Sequence, residues 1–320
     1  MTNFSGGKSA KWEKRGLILK PDPNVDWLAG GAGPCFARLD PQNPTIAQLY
    51  VSGRDSRNRS RIGRVLFDLQ KEKVVEVSNK SVLPLGTKGA FDENGTSYPY
   101  LVENHGALYM FYTGWIQGVH VRWYNDLGLA TSKDGLSFKR FSRAPVIPRN
   151  NLDYIGIGST CVIKDNEKWL MWYTRFERWG SPPDRHEHYY NIKHATSSDG
   201  IIWATRDDIC IDFNDDSEYA ISKPCVVKID SKYVMWYSHR GESYRAGLAC
   251  SEDGQSWRRM DERVGIDVSP CGWDSEMLCY PFVLDAGDKF YMFYNGNSYG
   301  TSGLGFAVAD RKTMLEMIYG

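Results

Sequence analysis

The chain has 320 residues and balances 39 Lys and Arg against 39 Asp and Glu. Zero formal net charge excludes the basic excess of a general nucleic-acid binder and the imbalance of a charged disordered chain, and no apolar window is long enough to form a membrane-spanning helix. The unusual quantity is the aromatic content, 13% with 11 Trp and 19 Tyr, which calls for a large β core or a cleft lined with flat rings.

In chain order, the first sixteen residues are polar and carry Lys8, Lys11, Lys14 and Arg15 with no apolar run behind them. No secretory signal is expected, and the location is expected to be cytoplasmic. Residues 11–19 (Lys-Trp-Glu-Lys-Arg-Gly-Leu-Ile-Leu) read as a strand. Strands are then expected at 34–38, 48–53 and 62–67. The next set is clearer: 98–102 (Tyr-Pro-Tyr-Leu-Val), 108–114 (Leu-Tyr-Met-Phe-Tyr-Thr-Gly), 127–135 (Leu-Gly-Leu-Ala-Thr-Ser-Lys-Asp-Gly) and an aromatic run at 136–138. The set recurs at 159–163, 169–175, 194–200 and 201–203. It recurs again at 223–227, 233–239, 247–254 and 255–257, and a last time at 280–284, 290–296 and 304–309. Only residues 312–318 show helical periodicity.

The second strand of each set carries one phrase, clearest as Trp169-Leu-Met-Trp-Tyr-Thr-Arg175 and Phe290-Tyr-Met-Phe-Tyr-Asn-Gly296. Aligned on Leu49, Met110, Met171, Met235 and Met292, the unit repeats about every 60 residues. The Asp-Gly pairs favour type I′ hairpins leading into a short aromatic outer strand. Four strands repeated five times predict an all-β five-bladed β-propeller, since a β-sandwich does not repeat its strand phrases at a fixed period. The blades fall at about 31–85, 90–148, 155–212, 218–268 and 274–310 in a single domain, 1–320. The last unit lacks its outer strand, and residues 11–19, with Trp12 placed like Trp257, are expected to supply it and close the ring.

The seven cysteines form no CxxC pair and sit mostly in apolar strand runs, as buried thiols do. No Cys/His spacing fits zinc, and no phosphate-binding loop or nucleophile elbow is present, so neither cofactor nor metal is expected. His186 and His188, two apart beside Glu187, are more readily read as part of an aromatic lid than as a metal pair.

Propeller ligands sit where the inner strands begin. Several acids precede those strands: Asp92 after Phe91, Asp153, Glu218 before Tyr219, and Asp274 and Glu276 after Trp273. The competing reading for any one of them is a loop acid that caps a turn. A second tier ends the second strands: Arg54, Trp115, Arg175, His239 with Arg240, and Asn295 with Asn297. Two or more arginines in the cleft would favour an acidic sugar or phosphate through forked contacts. The insertions at 115–126 and 175–190 are expected to place Trp115, Trp123, Phe176 and Trp179 along the cleft.

The five repeats, the Met-Trp-Tyr-Thr phrase, the Ala-Thr-Ser-x-Asp-Gly phrase and the acids before inner strands together resemble the five-bladed propeller glycosidases. These comprise the invertase and levansucrase families and the arabinanase/xylosidase family, with the mannoside phosphorylases as relatives. The resemblance spans nearly the whole chain. It implies an enzyme that cleaves or transfers a glycosidic bond with a carboxylate pair, acting on an oligosaccharide or an activated sugar. On the residues that match, Asp92 is the candidate nucleophile or base, Glu218 and Glu276 compete for the acid role, and Asp274 orients a hydroxyl. A glycoside phosphorylase and a non-catalytic carbohydrate-binding propeller remain the alternatives.

Overall fold

The computed structural model describes residues 11–180 and 188–319. It is all-β apart from short 3₁₀ turns and one helix, α1 (Arg311–Tyr319). Strand β1 (Glu13–Leu19) precedes an antiparallel meander, β2 (Gly31–Leu39), β3 (Ile46–Arg54), β4 (Ser60–Asp68) and β5 (Lys73–Val77). The same up-and-down order follows in β6 (Gly95–Asn104), β7 (Ala107–Gln117), β8 (Trp123–Ser132) and β9 (Lys139–Arg140). It continues in β10 (Ile157–Asp165), β11 (Lys168–Trp179), β12 (His188–Ser197) and β13 (Ala204–Ile211), then in β14 (Ala220–Ile229), β15 (Lys232–Arg240), β16 (Tyr244–Ser251) and β17 (Arg258–Arg259). Last come β18 (Cys279–Asp285), β19 (Lys289–Asn295) and β20 (Leu304–Asp310), and β1 returns to pair antiparallel with the free side of β20. Single parallel bridges, Ser60 to Gly95 and Tyr190 to Ala220, link neighbouring meanders at one end only.

The second strand of each meander is buried on both faces, because each sheet is covered by the next. Met110, Met171, Met235 and Met292 are fully buried, as a pliable apolar side chain between sheets should be. Aromatic residues from the loops before the inner strands lie flat on glycines of the second and third strands: Trp27 on Gly53 and Gly63, Phe91 on Gly114 and Gly128, Trp273 on Gly296 and Gly305. A Cβ at Gly63 would lie inside the indole of Trp27, so these glycines answer to space and not to flexibility.

The inner strands begin with a kink. Tyr98, Lys223 and Tyr280 each precede a proline and each sit in the left-handed region, with φ of 50°, 55° and 58°. The strand registers shift at these points. A side chain cannot adopt that conformation cheaply, and each instance costs on the order of 1–3 kcal/mol. A serine hydroxyl on a neighbouring meander compensates: the backbone N–H of Tyr98 donates to Ser52 Oγ at 2.8 Å, that of Lys223 to Ser159 at 3.1 Å and that of Tyr280 to Ser238 at 2.7 Å.

Two local expectations need correction. The Asp-Gly turns are not type I′, because Gly135, Gly200 and Gly254 are left-handed while the preceding aspartates are not. Asp134 instead accepts the amide hydrogens of Leu136 and Ser137, and Ser132 Oγ accepts that of Gly135. The aromatic runs after these turns are therefore bends, and the outer strands β9, β13 and β17 start just beyond them.

Trp12 is buried and meets Trp236 edge-on, with ring centroids 6.3 Å apart, while the Lys11 and Trp12 amides both donate to the Gly265 carbonyl. Removing residues 1–20 is expected to expose β20 as a free edge and produce aggregates on size-exclusion chromatography. Trp12→Ala should cost about 3–5 kcal/mol in urea unfolding. A monomeric truncation with an unchanged melting temperature would overturn this role for the N-terminal strand.

Candidate active site

A cleft of about 830 Å³ opens where β6, β10, β14 and β18 begin, with Tyr98, Ser159, Ser222 and Tyr280 at those starts among its lining. The ends of the second strands contribute Arg54, Trp115, Thr174, Phe176 and Arg240. Trp123 lines one wall and stacks edge-on against Trp179, which also meets Phe176. Among the described lining residues there are five arginines (Arg54, Arg57, Arg59, Arg122 and Arg240) and no carboxylate.

That composition corrects the expectation that Asp92, Glu218 and Glu276 converge on the cleft. None of the three lines it. Asp92 is fully buried: its Oδ2 accepts the Tyr112 hydroxyl at 2.9 Å and is gripped by Arg140 Nη2 at 2.6 Å. Glu218 accepts His239 Nδ1 at 2.9 Å and both terminal nitrogens of Arg259, at 2.7 and 2.8 Å. Burial alone would raise the Glu218 pKa, but hydrogen bonds from His239, Arg259 and the Asn214 amide hold it well below the usual carboxylate range. Such a group is ionised and committed, the opposite of a proton donor. Glu276 is exposed, and its own amide donates to Asn297 Oδ1.

The reason is a repeated tie. Asp92 meets Tyr112, Asp153 meets Tyr173 and Asp274 meets Tyr294, each pair twenty residues apart and 2.8–2.9 Å long. Each carboxylate also holds a cation: Arg140 for Asp92, the buried Lys193 for Asp153 at 2.9 Å, and Lys14 for Asp274 at 2.7 Å. In the fourth meander Asp261 takes the Tyr237 hydroxyl and Arg259, while Glu218 holds the far side of that same guanidinium. Burial and the adjacent carboxylates push these tyrosine pKa values far up, so the phenols stay as donors. These acids fasten loops to strands.

Of the second tier, Arg54, Trp115 and Arg240 line the cleft. Arg175, 3.8 Å from Asp153, Asp274 and His239 do not. Nor does Asn295, which is buried and donates to the carbonyls of Ala32 and Gly303, or Asn297, which braces the loop at Gly272. Trp179 stands behind the wall. His186 lies outside the described residues. Sequence reasoning missed the tyrosines: Tyr190, Tyr219, Tyr244 and Tyr280 are buried around the floor, and the hydroxyls of Tyr190 and Tyr244 share a hydrogen bond. Burial raises the Tyr190 and Tyr280 pKa values. Arg240 lies 5.2, 5.4 and 5.5 Å from the rings of Tyr219, Tyr244 and Tyr299, and its Nε is buried without a hydrogen-bond partner. Burial also raises the pKa of Asp126, the neighbour of the lining residue Asn125, but Asp126 faces the Arg149 amide and is not part of the lining.

No family model matches the chain. The uncharacterised protein MT1551 of Mycobacterium tuberculosis (strain CDC 1551 / Oshkosh) is 37% identical over 303 residues, covering 93% of this chain and 99% of that protein. The chain belongs to its family. A 1,2-beta-oligomannan phosphorylase of Thermoanaerobacter sp. (strain X514) is 24% identical over 206 residues, 63% of this chain and 64% of that one. Among solved structures, one described under glycoside hydrolases of the GH130 family of mannoside phosphorylases, which target beta-1,2 mannosidic linkages in Candida mannan, superimposes with a TM-score of 0.71 at 16% identity over 97% of both chains. The chain therefore has the fold of the propeller glycosidases.

The ties make two outcomes measurable. Asp92→Asn is expected to lower stability by about 1.5–3 kcal/mol, because it leaves Arg140 without its charge-assisted partner. Glu218 has a folded-state pKa below its unfolded one, so its stabilisation is fully present above the unfolded value. The gap in urea midpoint between the native chain and Glu218→Gln should hold steady at neutral pH and shrink as pH falls below about 4.5. A gap as large at pH 3 as at neutral pH would overturn the assignment.

Proposed function

We propose that the protein is a carbohydrate-active enzyme that cleaves or transfers a glycosidic bond in this cleft, and that phosphate supplies the attacking oxygen. The observation that carries the reading is Arg240, a guanidinium without an acid partner among the described residues, set in a cage of tyrosines on a floor that has no carboxylate. Hydrolysis needs two carboxylates, one as acid and one as base or nucleophile. Phosphorolysis needs one fewer, because a phosphate oxygen attacks the anomeric carbon directly. The bond to the leaving oxygen breaks, that oxygen takes a proton, and a sugar phosphate and an alcohol result. The protonated groups at hand are the cleft phenols and the monobasic form of phosphate itself. Arg240 would neutralise the phosphate through charge-assisted bonds, and the rings of Trp115, Trp123 and Phe176 would stack on sugar faces. The likeness to the oligomannan phosphorylase supports this version over hydrolysis, with an oligosaccharide as substrate.

In the same reading the five meanders are five blades of one domain, 1–320, with β1 closing the ring against β20. A cytoplasmic setting follows, since phosphorolysis draws on the phosphate inside cells. The absence of cleft carboxylates among the described residues specifically favours one second reading, a binding propeller without catalysis.

Incubating the protein with β-1,2-mannooligosaccharides and other oligosaccharides, with and without phosphate, and following sugar phosphate by ³¹P NMR separates the cases. Phosphate-dependent release is expected, falling about 10²-fold in Arg240→Gln at subsaturating phosphate. Equal turnover without phosphate would remove phosphorolysis. Saccharide binding with no turnover in either buffer would favour the binding propeller.

A further inference from the structure

The hairpin between β3 and β4 reads Arg54-Asp-Ser-Arg57-Asn-Arg59-Ser-Arg61, four arginines to one acid. Asp55 is buried, and its carboxylate is mostly occupied in shaping the loop. Its Oδ1 accepts the backbone amides of Arg57 and Arg59, both at 2.9 Å, and its Oδ2 takes Arg59 Nη2 at 2.8 Å and Arg61 Nε at 3.2 Å. Burial works against its ionisation, but these amides and the Arg59 guanidinium hold its pKa below the usual carboxylate range. Asp26 takes the other end of Arg61 at 2.9 Å. Asn58 turns the tip in the left-handed region, and Arg54 Nη1 donates to its carbonyl at 3.0 Å while lying 5.4 Å over the Trp115 ring.

The two acids at the hairpin therefore engage Arg59 and Arg61. Arg54 and Arg57 have no carboxylate partner among the described residues, although both, with Asn58 and Arg59, line the cleft. Arg122 lines it too, from the β7–β8 connection. A hairpin pinned through its own backbone fixes where Arg54, Arg57 and Arg59 leave the chain, so the loop itself need not order on binding, which lowers the cost of taking an anion. The centre is separate from Arg240: Arg54 rests on Trp115, Arg240 on Tyr219, Tyr244 and Tyr299, and they share no ring. An attacking phosphate satisfies one cationic centre, which leaves the other for an anion that arrives with the substrate.

We propose that the Arg54, Arg57 and Arg59 hairpin is a subsite for an oxyanionic substituent, phosphoryl or carboxylate, carried by the saccharide, so that the substrate class is an acidic oligosaccharide and not a neutral one. This rests on the reading of the cleft as a glycosidic site. The forked geometry of arginine suits both oxyanions, and the wall rings hold the sugar that bears them.

The test is calorimetric titration of the full chain, in phosphate-free buffer, with a neutral mannobiose, a mannobiose bearing a 6-phosphate, a glucuronosyl disaccharide, and inorganic phosphate alone. At least one charged disaccharide is expected to bind 10-fold or more tighter than the neutral one, with an advantage that falls as salt is raised. Whichever of the two carries it identifies phosphoryl or carboxylate. Arg57→Gln should cut the advantage to less than twofold, and Arg57→Lys should restore part of it. Because the Arg57 side chain braces nothing in the fold, both variants should melt with the native chain. Equal affinity for neutral and charged disaccharides, or an advantage untouched in Arg57→Gln, overturns the subsite while leaving the glycosidic reading intact. Inorganic phosphate binding as tightly as the charged disaccharides, with the same loss in Arg57→Gln, also overturns it. Failure of every saccharide to bind overturns both.

Discussion

The tie between a buried aspartate, a repeated strand tyrosine and a cation is the interaction on which the rest of this structure depends. In the second, third and fifth meanders it turns the entering loop onto that meander's own second strand before the inner strand starts; in the fourth, Asp261 beyond β17 takes the place of the entering-loop acid, and in the first Tyr50 donates to the Gly135 carbonyl instead. The phenol donates to a carboxylate that is itself neutralised by Arg140, Lys193, Arg259 or Lys14. Charges can be kept under cover only in such company. Asp92 and Asp274 are therefore held where a sugar does not reach, and the cleft is left to arginines and tyrosines.

Much of the architecture was legible in the chain. The phrase around Met110, Met171, Met235 and Met292 marks strands covered on both sides, and the run beginning at Lys11 was readable as a strand in search of a partner because the last repeat ends one strand short. Turn geometry was less legible. Asp-Gly is compatible with more than one hairpin, and only the serine two residues before the aspartate, free to hold the glycine amide, separates them. For the site, Arg54, Trp115 and Arg240 were found because they close a repeated phrase at the end that faces the cleft. The acids were misread because a loop acid before an inner strand serves catalysis or scaffolding equally well in composition. The deciding signal was present: Asp92, Asp153 and Asp274 all stand twenty residues ahead of the repeat tyrosine, and a spacing that constant belongs to the repeat and not to one reaction centre. The floor tyrosines escaped because they come from three different strands and the loop before β14, which meet only in space.

Cationic and aromatic groups complement each other here. A guanidinium over a ring keeps its charge available to a ligand while the ring covers its apolar face. Arg54 on Trp115 and Arg240 among three tyrosines share this arrangement. The contrast with the Arg259–Glu218 pair, closed on itself, separates arginines that recognise from arginines that brace.

The kinked inner strands have a consequence for how this family can diversify. Tyr98 and Tyr280 form the floor of the cleft, yet each is also a fastener whose backbone is locked to a serine of the adjoining meander. Replacing them to suit a new ligand would loosen a seam, so the floor resists tinkering. The tip of the β3–β4 hairpin is different: the Arg57 side chain is exposed, and its identity can drift at little cost to the whole. Relatives that have changed what they recognise should therefore share their floor and differ at the rim, and a comparison of rims will sort them more finely than overall identity does.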